Sequence, residues 1–183
     1  MIETARLLLR PMLIEDTEAL LQIFADPAVM AAFNAEPFTR RQMEGWVQKN
    51  LVHQERYGYG LCSIVHKAEG ELIGNCGLTH MDIGGVPVVE LGYDFRSDYW
   101  HHGLATEAAT AMRNYAFQVL RLSRLVSLIR RTNLASQRVA EKIGMTRAEE
   151  ITDHGHNYWL YACSLEGLIP PRGDSLPTPS STG

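Results

Sequence analysis

The sequence predicts an α/β fold of the mixed α+β kind: a central mixed, mostly antiparallel sheet with about four helices. Three observations predict it. Residues 88–95 (VVELGYDF) are rich in β-branched and aromatic side chains, as a strand is. A polar turn with Gly103 then leads into apolar residues at helical spacing, Ala105, Ala108, Ala109, Met112, Ala116, Val119 and Leu120. Residues 122–129 (LSRLVSLI) return as another strand, and a strand, crossover helix and strand in one sheet are parallel and right-handed.

The remaining elements follow in chain order. Residues 6–10 (RLLLR) make a short apolar strand closed by Pro11. Asp16, Thr17 and Glu18 open a helix with acids in its first turn and with Leu20, Leu21 and Phe24 inward. Asp26-Pro27 ends that helix or restarts the chain as another short turn, because proline suits only a helix start. Residues 31–38 read as an apolar loop. Thr39 and Gln42 fit a capping box, and Met43, Trp46, Val47 and Leu51 form the buried face of a second helix. Residues 61–65 and 71–78 are strands of an antiparallel meander, joined by a turn at 68–70, and residues 83–87 (IGGVP) turn the chain into the 88–95 strand. After the crossover, Asn133 opens a shorter helix with Val139, Ala140 and Ile143 inward and Gly144 past its end. Residues 147–152 and 158–164 form a last pair of strands.

Composition sets the bounds. The chain has 183 residues and is 45% hydrophobic, enough for one domain with a core, placed at residues 1–169. The tail from Pro170 (PPRGDSLPTPSSTG) is polar, Pro/Ser-rich and almost empty of core residues, so disorder is expected there. Net charge is -4 with no dense basic stripe, which argues against a nucleic-acid partner bound through phosphates. Cys62, Cys76 and Cys163 show no C-x-x-C pattern and are expected as buried free thiols in a reducing compartment. The start of the chain lacks a signal-peptide layout, and no apolar run approaches a bilayer span. A cytoplasmic location without membrane attachment is the expectation.

The strand, glycine turn and long helix leave unpaired N–H groups aimed at one point with the positive end of the helix dipole behind them, an arrangement that holds phosphate. The tract Trp100-His101-His102-Gly103-Leu104-Ala105-Thr106-Glu107-Ala108 resembles the Tyr/Trp-Gly-x-Gly-x-Ala-Thr-Glu-Ala tract of the GNAT acetyltransferase superfamily, in its RimJ/RimL-like branch. Thr4-Ala5-Arg6-Leu7, Ile73-Gly74, Glu90-Leu91-Gly92-Tyr93, Asn133-x-x-Ser136 and Lys142-Ile143-Gly144-Met145 resemble further motifs of that branch, in order and at its separations. One departure is His101, where the branch usually has a first glycine; a side chain there narrows the loop or adds a donor to a phosphate.

The resemblance implies the GNAT fold, with its sheet splayed at the strands flanking acetyl-CoA, and transfer of an acetyl group to a primary amine by direct attack in a ternary complex. It implies that the backbone of Tyr93, Asp94 and Phe95 pairs with pantetheine, and that His101, His102, Gly103, Leu104, Ala105 and Thr106 hold the pyrophosphate. It also implies that Asn133 reaches the pantetheine arm, although asparagine is equally a good N-cap. By the same resemblance Arg138 and Lys142 lie near where the adenosine 3′-phosphate would run; Arg138 reads as part of a solvated helix face, and Lys142 is equally readable either way. Phe33, Asn34, Phe38 and Trp46 are the candidate acceptor contacts, with Phe38 and Trp46 equally readable as core. A homodimer is a family expectation.

Acetyl transfer to an amine requires that the amine lose a proton and that the leaving thiolate meet a donor. Ala140 stands where many superfamily members have a tyrosine; the branch's alternative is the serine of Asn-x-x-Ser, so the resemblance implies Ser136 as the candidate acid, a residue equally readable as a polar group of the helix's first turn. Glu90, a carboxylate among apolar strand neighbours, is the candidate base or the partner of a cation; His80, His154 and His156 are alternatives. His154-Gly155-His156 alone makes a poor metal site, and none is expected. An α-amine of pKa near 8 is about one-tenth neutral at pH 7, a cost of about 1.4 kcal/mol, against about 4.6 kcal/mol for a lysine amine. The sequence therefore favours the N-terminal α-amine of a protein or peptide as acceptor. A small amine metabolite or antibiotic is the rival acceptor, and a CoA-binding sensor without chemistry is the rival of another class.

Overall fold

The chain alternates between segments that must bury one face of a sheet and segments that must bury one stripe of a helix. The computed structural model describes residues 1–153 and 155–165, so His154 and the Pro/Ser-rich tail lie outside the described residues. Its strands are β1 (Ile2–Glu3), β2 (Leu7–Pro11), β3 (Leu61–His66), β4 (Leu72–Ile83), β5 (Val86–Phe95), β6 (Arg124–Arg130), β7 (Thr146–Asp153) and β8 (His156–Ser164). Its helices are α1 (Thr17–Phe24), α2 (Pro27–Ala31), α3 (Arg40–Tyr57), α4 (Leu104–Gln118) and α5 (Leu134–Lys142). One eight-stranded sheet runs in the order β1-β2-β3-β4-β5-β6-β8-β7. Every pairing is antiparallel except β5 with β6, the pair joined through α4.

Local chemistry explains the boundaries. Asp26 caps α2 by accepting from the Ala28 N–H at 2.8 Å, and Pro27 takes the first helical position, so the expected short turn is a helix of its own. Thr39 and Gln42 close the capping box of α3, and Gly58 ends it at φ 72. The β4–β5 hairpin turns on Gly84 and Gly85, both at positive φ, so these strands run longer than their apolar cores suggest. In α1 the buried residues are Leu20, Ile23 and Phe24, with Leu21 only half-buried. Cys62 is likewise half-buried, while Cys76 and Cys163 are buried, and all are free thiols.

The helices divide between the two faces of the sheet. Leu104, Ala108 and Met112 of α4 and Ala140 and Ile143 of α5 pack with Leu7, Leu9, Ile64, Cys76, Leu91 and Phe95. Leu20, Ile23, Phe24, Met43 and Val47 of α1 and α3 make a second core with Met12, and Leu61 packs against it. Side chains alternate along a strand. Leu91, Tyr93 and Phe95 therefore turn to the α4 face, and Glu90, Gly92 and Asp94 to the α1–α3 face. On that second face the register sets Arg10, Ser63, Asn75 and Asp94 in one row across four strands. Arg10 and Ser63 both hold Asp16, at 2.6–2.8 Å.

Gly77 and Gly92 face each other between β4 and β5 and meet opposite surroundings. A Cβ on Gly77 would lie 2.2 Å from the Gly60 carbonyl oxygen, whereas a Cβ on Gly92 would have nothing within 4 Å. Gly77→Ala should therefore destabilise the fold by about 1–3 kcal/mol, and each kcal/mol lowers Tm by about 2–4 °C in a chain of this size. Gly92→Ala should leave Tm unchanged or slightly raised, which paired thermal melts of the two variants would check.

Candidate active site

The site is built around a rung that is missing from the sheet. β5 and β6 share one register pair, Glu90 with Val126, and then part. The next parallel rung would join the Leu128 N–H to the Leu91 carbonyl. Instead the Ser127 hydroxyl donates to the Leu91 carbonyl at 2.6 Å, and the Leu128 N–H donates to the Glu90 carboxylate at 3.2 Å. Two side chains thus satisfy the last groups before the strands diverge, as buried polar atoms require.

Beyond that point the edge of β5 is open toward β6. Backbone groups alternate sides along a strand, so Leu91, Tyr93 and Phe95 face the gap while Glu90 and Asp94 face β4. The Phe95 carbonyl is taken by the Trp100 indole at 2.9 Å. Tyr93 keeps both backbone groups turned to the gap, and Asp94 pairs with Asn75 on β4 instead. Of the strand residues expected to pair with a cofactor arm, Tyr93 and Phe95 are placed to do so through the backbone, and Asp94 is not. The Tyr93 hydroxyl spans the gap and donates to the Ser136 carbonyl of α5 at 2.9 Å.

The end of β5 leads into a turn before α4. His101 has φ 64 and Gly103 has φ 78, so two left-handed residues bend the chain; for His101 that conformation costs about 1–2 kcal/mol. The first helical bond runs from the Glu107 N–H to the Gly103 carbonyl at 3.1 Å, so the N–H groups of Leu104, Ala105 and Thr106 precede the ladder. Arg6 braces the turn: it donates to the His102 carbonyl at 2.9 Å and to Glu107 at 2.7 Å. Burial raises the Glu107 pKa, but bonds from Thr4 and Arg6 outweigh it and keep the carboxyl ionised. Leu104, buried, pins the helix start to the core, while His101 and His102 are exposed. This N-terminus suits an anion, and the open edge of β5 suits an extended amide chain. The two are joined by one short segment.

The α1–α3 face of the same strand carries two acids without a cation. Burial raises the Glu90 pKa, offset in part by the Leu128 N–H. Burial pushes Asp94 up to about 7, with Asn75 pulling it down in part and the Glu90 charge adding to the rise. Neither joins an ion pair among the described residues. The sequence reading found Glu90 and missed the Asp94 side chain, although the alternation Glu90-x-Gly92-x-Asp94 placed both on one face.

The other candidates separate. The Asn133 side chain is an N-cap, accepting from the Ser136 N–H at 3.0 Å. Ser136 is half-buried at the start of α5, and Lys142 is exposed at its far end beyond Arg138, also exposed. Ala140 is fully buried and gives no donor. Phe38 and Trp46 pack on Phe24 with ring centroids at 5.6 and 5.2 Å, so they are core-associated, whereas Phe33 is exposed at the rim of that cluster. Asn34, at φ 50, lines a surface cleft of about 280 Å³ with Pro27, Ala31, Ala35, Glu36 and Pro37. His80 stacks on Tyr57 at 4.7 Å, and its N–H donates to His53. His156 begins β8. Among the described residues no cluster of three or more His, Cys, Asp or Glu could hold a metal, and no helix is long and apolar enough to cross a membrane.

Comparison with known proteins agrees with this geometry. The family profile for the acetyltransferase (GNAT) domain matches residues 6–146. The chain is 37% identical over 149 residues to the uncharacterised protein YkkB of Bacillus subtilis, covering 81% of this chain and 86% of YkkB. It superposes with a TM-score of 0.76 on a GNAT-family acetyltransferase from Bacillus anthracis, at 29% identity over 90% of this chain and 98% of that one. A more distant likeness in fold, TM-score 0.72 at 18% identity over 90% and 97% of the two chains, is to RimL, a ribosomal L7/L12 alpha-N-protein acetyltransferase in complex with coenzyme A.

A carboxyl whose pKa is higher folded than unfolded binds its proton more tightly in the folded state. It therefore contributes stability below the unfolded value, and loses it as pH rises through the folded value. For Asp94 that window runs from the ordinary value of 3.8 to about 7. The Tm difference between Asp94→Asn and the parent should grow in favour of the variant from pH 4 to 7 and level off above. A difference that stays constant across that range would contradict the assignment.

Proposed function

The chain belongs to the GNAT acetyltransferase family and is an acetyl-CoA-dependent N-acetyltransferase; on that premise we propose that its acceptor is the N-terminal α-amine of a protein or peptide. We place it in the RimJ/RimL-like branch and in the cytoplasm, on the motif resemblance and the fold shared with RimL. The observation that carries the proposal is the Glu90 carboxyl, held by the Leu128 N–H but by no cation among the described residues, at the parting of β5 and β6 on the face away from α4.

Acetyl-CoA supplies the acetyl group as an activated thioester. The backbone N–H and C=O of Tyr93 and the N–H of Phe95 pair with its amide arm as a strand pairs with a neighbour. The N–H groups of the turn at 101–106 hold its pyrophosphate. A helix-end interaction gives roughly 0.3–1 kcal/mol when exposed and up to about 2 when partly buried. Micromolar affinity requires about 8 kcal/mol, so the strand edge and the turn share the load. Asn133, committed to its cap, acts here by fixing the start of α5 and with it Ser136.

Glu90 accepts the proton of the acceptor ammonium, and the neutral amine attacks the thioester carbonyl directly. Burial raises the pKa of this carboxyl above its ordinary value and so makes it a stronger base than an exposed one. The Ser136 hydroxyl, which makes no hydrogen bond among the described residues, donates to the departing sulfur. An amine of pKa near 8 is about one-tenth neutral at pH 7. A lysine side chain would need about 3 kcal/mol more to reach its neutral form at pH 7.

A peptide with a free N-terminus should turn over about 100-fold faster at pH 7 than one whose only amine is a lysine side chain; equal rates of thiol release would reject the acceptor. Glu90→Gln should lower kcat by about 10²–10³ while leaving the Kd for coenzyme A within about threefold. An unaltered kcat would remove Glu90 from the mechanism.

A further inference from the structure

The α1–α3 face of β5 holds more than a base. Glu90, Gly92 and Asp94 stand on it in succession, and their register partners on β4 are Thr79, Gly77 and Asn75. Gly77 is closed over by the Gly60 carbonyl, but Gly92 opens on free space. The result is a trough with an acid at each end and no side chain between. Its ends lie about 13 Å apart along the backbone, at about 3.3 Å for each residue of strand.

The far end is unfinished. Asn75 is fully buried, yet neither its Nδ2 nor its Oδ1 has a hydrogen-bond partner of proper geometry, although its amide stands beside the Asp94 carboxyl. Buried amides are almost always satisfied, so a buried one without partners beside an unpaired acid points to a group that arrives from outside. Arg10, the basic residue in this row, is already bound through both Nη atoms to Asp16. Among the described residues, therefore, none supplies a counter-charge to Asp94.

We propose that Asp94 and Asn75 form an acceptor subsite for a second cation, an ammonium or guanidinium carried on the order of 10 Å from the amine that is acetylated. The carboxylate of Asp94 and the Oδ1 of Asn75 accept its N–H donors, and the free space over Gly92 passes the chain that links it to the reacting amine. This rests on the α-amine reading above, and for a peptide it names the sequence preference: a basic side chain at the second or third residue. A linear polyamine presents the same pair of charges.

The test compares thiol release from acetyl-CoA on short peptides with a free N-terminal alanine and either lysine or norleucine at the second or third position. Diaminooctane and octylamine, the first with terminal nitrogens far enough apart to span the trough, form a parallel small-molecule pair. The parent enzyme should prefer the lysine peptides by roughly tenfold in kcat/KM, and Asp94→Asn should bring them down to the norleucine level while leaving norleucine peptides within about threefold. Unchanged affinity for coenzyme A in Asp94→Asn would show that the variant is folded. Equal loss on lysine and norleucine peptides, or no preference in the parent on either pair, would overturn the subsite. A preference confined to the diamine, lost in Asp94→Asn while no peptide reacts, would keep the subsite and overturn the peptide acceptor instead.

Discussion

The account depends on one constraint: two neighbouring parallel strands that begin to pair and then cannot continue. A buried backbone group left unpaired costs about 1–3 kcal/mol, so the parting of β5 from β6 is tolerated only where side chains take over. Ser127 covers the Leu91 carbonyl and Glu90 covers the Leu128 N–H, which ends the ladder cleanly. The same carboxylate thereby stays half-buried next to the opening, without a cation partner among the described residues. In the proposed mechanism the residue that closes the sheet is also the base.

The rest of the molecule keeps that opening in place. On one side α4 packs against β5 through Leu104, Ala108 and Met112, and Arg6 and Glu107 hold the turn before it to the start of β2. On the other side α5 is tied by its Asn133 cap and by the bond from Tyr93 to the Ser136 carbonyl. The opening is thus a property of packed elements on both flanks. That is the condition under which groups aimed at a ligand are held ready before it binds.

Much of this was legible in the sequence because it depends on local chemistry. The capping box at Thr39 and Gln42, the proline start at Pro27 and the crossover between β5 and β6 all follow from residue type and spacing. The turn at Gly103 and the base candidate Glu90 were also visible. Hidden were the features set by register between strands distant in sequence. Nothing in residues 71–78 alone reveals that Asn75 lies beside Asp94, or that Ser127 would complete Leu91. Leu21 packs on the core of α1 only half-buried, while Ile23, not singled out from the sequence, is fully buried, because a helix this short leaves its buried arc to tertiary contacts. Of the two roles read for Asn133, the cap is seen directly, its Oδ1 accepting from the Ser136 N–H.

The claim that this open edge receives the acetyl donor is tested most directly at Tyr93, by amide hydrogen exchange resolved residue by residue, with and without saturating coenzyme A. The account predicts that the Tyr93 amide exchanges readily in the free protein and is slowed at least tenfold by the ligand. The amide of Asp94, already paired with β4, should be slow in both. If coenzyme A saturates the protein and the Tyr93 amide is as fast as before, the ligand lies elsewhere and the account is wrong.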